Sequence, residues 1–209
     1  MEKVQILPQT IYKFKCPDQS LITDTLNKLS NENWKSNTYN SRTANGRLEK
    51  SKEYEKLTIW FSDCLNLVKN NLKFQCDELK ITQCWANKSG LDQWHHQHVH
   101  PNSMVSGIFY LTDSNSKTWF SVRSIWTSFT GDVYDDPFKV QYGNSEELII
   151  IHKQETISGD LIIFPSSLSH SVDQHKIEEF DRYTISFNSF PSGRIGDYGS
   201  LSGLEISIN

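Results

Sequence analysis

From Phe74 onward the apolar residues recur with a period of two, in the short runs LKITQCWA (79–86), MVSGIFYL (104–111), TWFSV (118–122), ELIIIH (147–152), DLIIFP (160–165) and RYTISFN (182–188). Successive side chains of an extended chain point to opposite faces, so each run reads as a strand. Many short strands divided by turn residues argue for a sandwich or barrel and against alternating βαβ units. Two helices are predicted ahead of them. In PDQSLITDTLNKLS (17–30) residues Leu21, Ile22, Leu26 and Leu29 form one stripe, with Asp18 or Ser20 available as the N-cap. From Glu55 to about Leu72, residues Leu57, Trp60, Phe61, Cys64, Leu65, Val68 and Leu72 recur at steps of three and four, one apolar face turned to a core. Between the helices SNTYNSRTANGRLEKS (36–51) is polar and aperiodic and reads as a loop. The expected class is mainly β, with N-terminal helices on an antiparallel core, jelly-roll being the leading form. One domain spans 1–209, divided into a helical N-terminal support (1–78), a β-core (79–190) and a C-terminal extension (191–209).

Composition removes several classes of function. Lys and Arg total 21 against 25 Asp and Glu, a net charge of -4, without the basic excess that binding a phosphate backbone requires; no nucleic-acid partner is expected. No stretch approaches the ~18 uncharged apolar residues of a membrane span, and the N-terminus lacks a long apolar run, so a soluble, unexported, cytoplasmic protein with no membrane partner is expected. Cys16, Cys64, Cys76 and Cys84 lack CxxC spacing and read as reduced core thiols, a zinc cluster being the alternative.

Five of the seven histidines, His95, His96, His98, His100 and His170, fall in two short segments, HHQHVHPNS and FPSSLSHSV. Alternate side chains of a strand share a face, so His98 and His100 can offer two imidazoles to one ion, while a solvated polar strand is the plainer reading. His96-x-His98 is a competing register; HPNS directly after His98-Val99 favours His98 and His100. His170 follows an apolar strand that ends in Pro and turn residues, which delivers it to the rim of a sheet. In the last strand Arg182, Thr184, Ser186 and Asn188 share one face, and Tyr183, Ile185 and Phe187 the other. That polar face is either exposed, the commoner case for such a pattern, or it looks into a barrel; there Arg182 would be a buried cation suited to bidentate binding of a carboxylate.

Trp85-Ala-Asn87, His98-Val-His100-Pro101-Asn102-Ser103, Ser106-Gly107-Ile108-Phe109-Tyr110, Phe164-Pro165-Ser166 with His170, and Arg182 through Asn188 follow one another in a fixed order over about residues 79 to 190. This pattern resembles the 2-oxoglutarate and Fe(II)-dependent oxygenase superfamily, specifically the small group found in bacteria and marine phages, and the opening ILPQTIY is similar to that group too. The resemblance implies a double-stranded β-helix (jelly-roll, cupin-like) holding one Fe(II) on His98, His100 and His170. It further implies that Arg182 and Thr184, with Tyr110, bind the far carboxylate of 2-oxoglutarate. In one respect the chain departs from the family: His100 stands where Asp or Glu is usual, so the triad would be three neutral imidazoles.

The implied activity is oxidative decarboxylation of 2-oxoglutarate coupled to hydroxylation of a second substrate, with molecular oxygen consumed. By analogy with prolyl hydroxylases the second substrate would be a protein or peptide side chain. The 36–51 loop and the segment Ser124 to Asn144 would form its rim, a homodimer is compatible with this reading, and a phage-encoded chain would work in the host cytoplasm. Two rival readings stand beside it: a cupin-like three-histidine iron dioxygenase that needs no 2-oxoglutarate and no Arg182, and a non-catalytic metal-binding jelly-roll protein.

Overall fold

The computed structural model describes residues 10–123 and 149–208. In chain order it forms β1 (Tyr12–Lys15), α1 (Gln19–Leu29), β2 (Trp34–Ser36), β3 (Ser41–Thr43), two 3-10 turns, α2 (Glu55–Asn71), β4 (Cys76–Ser89), β5 (His95–His98), β6 (Val105–Tyr110), β7 (Thr118–Arg123), β8 (Ile149–Gln154), β9 (Asp160–Pro165), β10 (Ser169–Val172), β11 (Arg182–Ile195) and β12 (Leu204–Ile206). A large sheet runs β1-β9-β6-β11-β4-β3-β2, with β12 added to β11, and a small sheet runs β5-β10-β7-β8. Every ladder between them is antiparallel. The two antiparallel sheets form the jelly-roll expected from the strand pattern, the double-stranded β-helix that the resemblance implies.

Period-two alternation decides which side of the large sheet meets which partner. From β11, Ile185 and Phe187 join Phe109 of β6 and the buried stripe of α2 (Leu57, Phe61, Cys64, Leu65, Val68) in one apolar cluster. Within it the Phe61 ring lies 4.8 Å from that of Phe187 and 5.6 Å from that of Phe109. α1 adds Ile22 and Leu29 and is capped by Asp18, whose side chain accepts the Ser20 N–H at 2.8 Å. The helices thus cover the outer face of the large sheet. On its inner face Ile108, Tyr110, Ile162 and Phe164 meet Phe120 of β7 and Leu168, a smaller cluster that joins the two sheets. Beside that cluster the inner face is polar: Arg182, Thr184, Ser186 and Asn188 are all buried. Of the two readings open to the last strand, the inward-facing one is observed.

The structure corrects the expectation for residues 36–51. β2 and β3 form a hairpin, closed by the Asn37 N–H to Asn40 C=O bond of 2.7 Å, and β3 pairs with β4 through Ser41 and Arg42. Asn40, Thr43 and Leu48 are buried, so polar composition here reflects an edge hairpin and not a free loop. β1 and this hairpin lie in the stretch read as helical support, yet they are strands of the large sheet. Likewise β11 continues past the expected core boundary to Ile195, where β12 pairs with it. The cysteines are free thiols with no partner cysteine, and burial pushes Cys64 up to about 12. The 124–144 rim, residues 6–9 of ILPQTIY and the start of the ELIIIH run fall outside the described residues.

One glycine is dictated by this packing. Gly107 of β6 is the register partner of Phe187, and a Cβ there would meet three ring carbons of Phe187 inside van der Waals contact. Gly107→Ala should therefore destabilise the fold by about 1–3 kcal/mol, the usual range for overpacking. Phe187→Leu in the same chain should return part of that loss, because the two side chains compete for one space. Urea denaturation of the two single variants and the double variant measures both effects; strictly additive losses would show that the ring is not what the methyl meets.

Candidate functional site

At the polar end of the barrel the small sheet brings the histidines together. His98, the last residue of β5, is the register partner of His170 in β10. His100 lies beyond the strand end, because Pro101 has no N–H with which to continue the ladder and Asn102 takes a left-handed conformation (φ 56°) that turns the chain. The pair is therefore not two alternate positions of one strand, yet the turn still brings His100 to the others. His98, His100 and His170 place ligand nitrogens within 4.8 Å of one another, and no other metal-binding group of side chains occurs among the described residues.

Hydrogen bonds fix which nitrogen each ring offers. His98 Nδ1 lies 2.8 Å from the His96 carbonyl and His170 Nδ1 3.0 Å from the Leu168 carbonyl. A carbonyl only accepts, so both Nδ1 atoms carry the hydrogen and both Nε2 atoms present a lone pair. His100 Nε2 is 3.3 Å from His170 Nε2. Two nitrogens at about 2.1 Å from one first-row ion, at right angles, would be about 3 Å apart, close to this spacing. Burial depresses all three imidazoles, reinforced for His98 by the neighbouring His96 and for His100 and His170 by His98, with His100 brought down to about 4. They are thus neutral at physiological pH, the form in which imidazole binds a metal. His96 is exposed, stacks on His95 at 4.9 Å and stays outside the group; His95 lines the cavity without joining it. His152 and His175 make local hydrogen bonds, to Gln154 and to Ser114 and the Phe180 carbonyl.

A polar network holds the His100 turn in place. Ser166, just after β9, accepts the His100 N–H on its carbonyl at 2.9 Å and donates its own N–H to the Met104 carbonyl at 3.1 Å. Its hydroxyl meets Ser103 Oγ and Ser106 Oγ, each at 2.7 Å, and Ser106 Oγ donates to Asn188 Oδ1 at 2.9 Å. Ser103 of HPNS, Ser106 of SG, Ser166 of FPS and Asn188 of ISFN are thus one hydrogen-bonded cluster, and its buried members are satisfied. Trp85 and Asn87 act similarly: Trp85 Nε1 donates to Asn87 Oδ1 at 3.2 Å, Asn87 Nδ2 to Ser186 Oγ at 3.0 Å, and the Trp85 ring lies 5.8 Å from His100.

The same cavity is lined by Arg182 and Thr184, both from the inner face of β11. Arg182 is 4% exposed, its guanidinium is 5.4 Å from the Tyr110 ring centre, and its Nε and Nη2 have no hydrogen-bond partner. Burial pushes its pKa down, and no carboxylate among the described residues pairs with it. A desolvated guanidinium whose forked edge is unanswered fits an incoming carboxylate, which would accept two parallel hydrogen bonds. The Tyr110 hydroxyl is hydrogen-bonded with Thr118 Oγ1 at 2.7 Å, and its ring lies against Arg182. Sequence reasoning missed Asn40 and Thr118. Asn40 lay in the supposed loop, and only the hairpin register reveals it.

Three imidazole donors and an unpaired buried cation in one cavity are the donor set that an Fe(II) ion and a dicarboxylic keto acid would need, so the residues present fit both. A family model described as "Putative 2OG-Fe(II) oxygenase" matches residues 83–188. No curated protein matches the chain in sequence. Among solved structures, HygX from Streptomyces hygroscopicus with nickel, 2-oxoglutarate and hygromycin B is similar at TM-score 0.62 and 12% identity, over 88% of this chain and 83% of that one. A Pseudomonas putida prolyl-4-hydroxylase is similar at TM-score 0.57 and 12% identity, over 88% and 94%. The α-ketoglutarate-dependent epimerase SnoN from nogalamycin biosynthesis is similar at TM-score 0.65 and 10% identity, over 91% and 82%. At these identities the likeness is one of fold.

The depressed imidazoles give the pH dependence a sign. Unfolded histidines take up protons near pH 6.5, whereas folded His100 does so only near 4. Between those values the unfolded state binds more protons, so the metal-free protein should lose stability as pH falls through that window. Metal binding should survive at pH 6 and fail only as pH approaches about 4, lower than free imidazole would allow. Thermal melts and metal analysis across pH 4–7 check both. At pH 7, Ala at His98, His100 or His170 should abolish stoichiometric loading, and His96→Ala should not.

Proposed function

Because the chain belongs to the 2OG-Fe(II) oxygenase family, whose metal is Fe(II) and whose cosubstrate is 2-oxoglutarate, we propose that His98, His100 and His170 hold the iron and that Arg182 and Thr184 bind the far carboxylate of 2-oxoglutarate. The observation that carries this reading is the unpartnered Nε and Nη2 of Arg182, buried in the cavity into which the three imidazoles converge. A dioxygenase with three histidines and no cosubstrate would leave that guanidinium unanswered, and so would a jelly-roll that only stores metal.

Bound iron and 2-oxoglutarate supply the oxidising chemistry: oxygen and 2-oxoglutarate are consumed, succinate and carbon dioxide leave, and a C–H group of a second substrate becomes C–OH. The chain's own residues position and shield. His98 and His170 are held with Nε2 forward by carbonyl bonds to their Nδ1 atoms, and His100 by the Ser166 clamp on its backbone. Arg182 fixes the cosubstrate's orientation by pairing with the carboxylate remote from the iron, and Tyr110 backs the guanidinium with its ring. Ile108 and Val172 line the same cavity and keep it partly dry, which strengthens the Arg182 ion pair. With His100 in place of a carboxylate, the three ligands bring no negative charge, so the one cosubstrate carboxylate not paired with Arg182 would bring the sole negative charge to the ion. The second substrate is a protein or peptide side chain in this reading, by analogy of fold with prolyl hydroxylases.

Arg182→Leu should keep iron and lose 2-oxoglutarate, because the guanidinium contacts the cosubstrate and not the metal. Hydrogen bonds to charged groups contribute about 1.5–3 kcal/mol and a stranded carboxylate costs more, so affinity should fall at least tenfold. Thr184→Val removes one neutral hydroxyl and should cost about 1 kcal/mol. Anaerobic isothermal titration with 2-oxoglutarate into the Fe(II)-loaded proteins measures both. Wild-type affinity in Arg182→Leu would remove the cosubstrate assignment.

A further inference from the structure

Asn40 is the one cavity-lining residue whose polar side chain is left unexplained. It is 3% exposed, its Oδ1 is buried with no hydrogen-bond partner, and its Nδ2 donates to no protein group among the described residues. Its backbone is fixed, since its carbonyl accepts the Asn37 N–H and closes the β2–β3 turn. The flanking Tyr39 ring is held against Trp94 at 4.3 Å and His96 at 5.5 Å. A buried amide on a fixed turn, in contact with the cavity and bonded to nothing, is placed for a guest.

The register says which part of the guest. Ser41 pairs with Lys88 and Arg42 with Asn87, so the next position back along β3, Asn40, falls opposite Ser89. Ser89 is in turn the register partner of Arg182. Asn40, Ser89 and Arg182 therefore form one row across three strands on the cavity face, with strand spacings that put Asn40 about 10 Å from Arg182 along the sheet. Both ends of this row line the same cavity, so their side chains can reach one ligand group. A carboxylate has room for them: two oxygens offer about four acceptor positions, Arg182 fills two with its forked edge, and Thr184 supplies a third donor. Tyr110 meets Arg182 through its ring and does not line this cavity, whereas Asn40 does and can supply the fourth donor. Rotation of the Asn40 amide about χ2 exchanges Oδ1 and Nδ2, and it breaks no bond because neither atom has one.

We propose that Asn40 completes the clamp on the distal carboxylate of 2-oxoglutarate, its Nδ2 donating to an oxygen also held by Arg182 and Thr184. This rests on the cosubstrate reading above, and it makes the N-terminal hairpin, which lies outside the matched family region, part of the binding site. The experiment is an anaerobic titration of Fe(II)-loaded wild type, Asn40→Leu and Asn40→Asp with 2-oxoglutarate, and with 2-oxovalerate, which keeps the keto acid but lacks the distal carboxylate. Asn40→Leu should weaken 2-oxoglutarate about tenfold, as loss of one hydrogen bond to a charged group does. Asn40→Asp should weaken it further, by setting carboxylate against carboxylate. Neither should change iron loading, and Asn40→Leu should leave 2-oxovalerate binding as in wild type. Unchanged 2-oxoglutarate affinity in Asn40→Leu, or equal losses for both keto acids, overturns the proposal while an Arg182→Leu defect leaves the cosubstrate reading standing. A wild type that binds no 2-oxoglutarate overturns both.

Discussion

The site depends on a guanidinium taken out of water. Desolvating such a cation costs several kcal/mol, and only an anion in good geometry offsets it. Arg182 reaches its position because strict alternation along β11 sends Ile185 and Phe187 to the helices and so forces Arg182, Thr184, Ser186 and Asn188 inward. The stability of the outer core thus holds the charge in the inner cavity. The aromatic contacts of Phe61 with Phe187 and Phe109, and the absence of a side chain at Gly107, are the structural conditions for a cation site on the opposite face of the same strand.

The metal-ligating end depends on a different constraint. Three imidazoles can face one point only if each ring is prevented from turning away. Backbone carbonyls do this for His98 and His170, while the Ser103–Ser166–Ser106–Asn188 cluster fixes the turn that carries His100. The small residues of the motif segments are thereby explained as anchors of the loop. They connect β9, β6 and β11 of the large sheet to the turn that leaves β5 of the small one, so the distance between sheets and the geometry of the site are set together.

Much of this was legible in the sequence because period and chemistry coincide. The strands over 79–86, 104–111, 118–122, 160–165 and 182–188 and both helices stand out by their apolar spacing, and His98, His100, His170, Arg182 and Thr184 all line the same cavity in the structure. What was hidden has physical reasons. β2, β3 and β5 are short strands whose residues are mostly polar, so no apolar alternation marks them. Asn40 carries no motif, and its place in the same row as Arg182 follows from strand register across β4, which a sequence does not display. The orientation of β11 was ambiguous for the same cause: alternation says that one face is polar but not what that face looks at. The partner of the Tyr110 hydroxyl was hidden too: Thr118, eight residues on, shares a hydrogen bond with it through the β6–β7 packing.

All these features meet in one claim, that three imidazoles and a buried guanidinium serve a single chelate of Fe(II) and 2-oxoglutarate. The most direct measurement is an anaerobic titration of the Fe(II)-loaded wild-type protein with 2-oxoglutarate, followed by visible absorption. The expected result is a charge-transfer band that needs both iron and 2-oxoglutarate and saturates at one equivalent of each per chain. Iron that binds tightly to the protein while 2-oxoglutarate produces neither a band nor heat would contradict it.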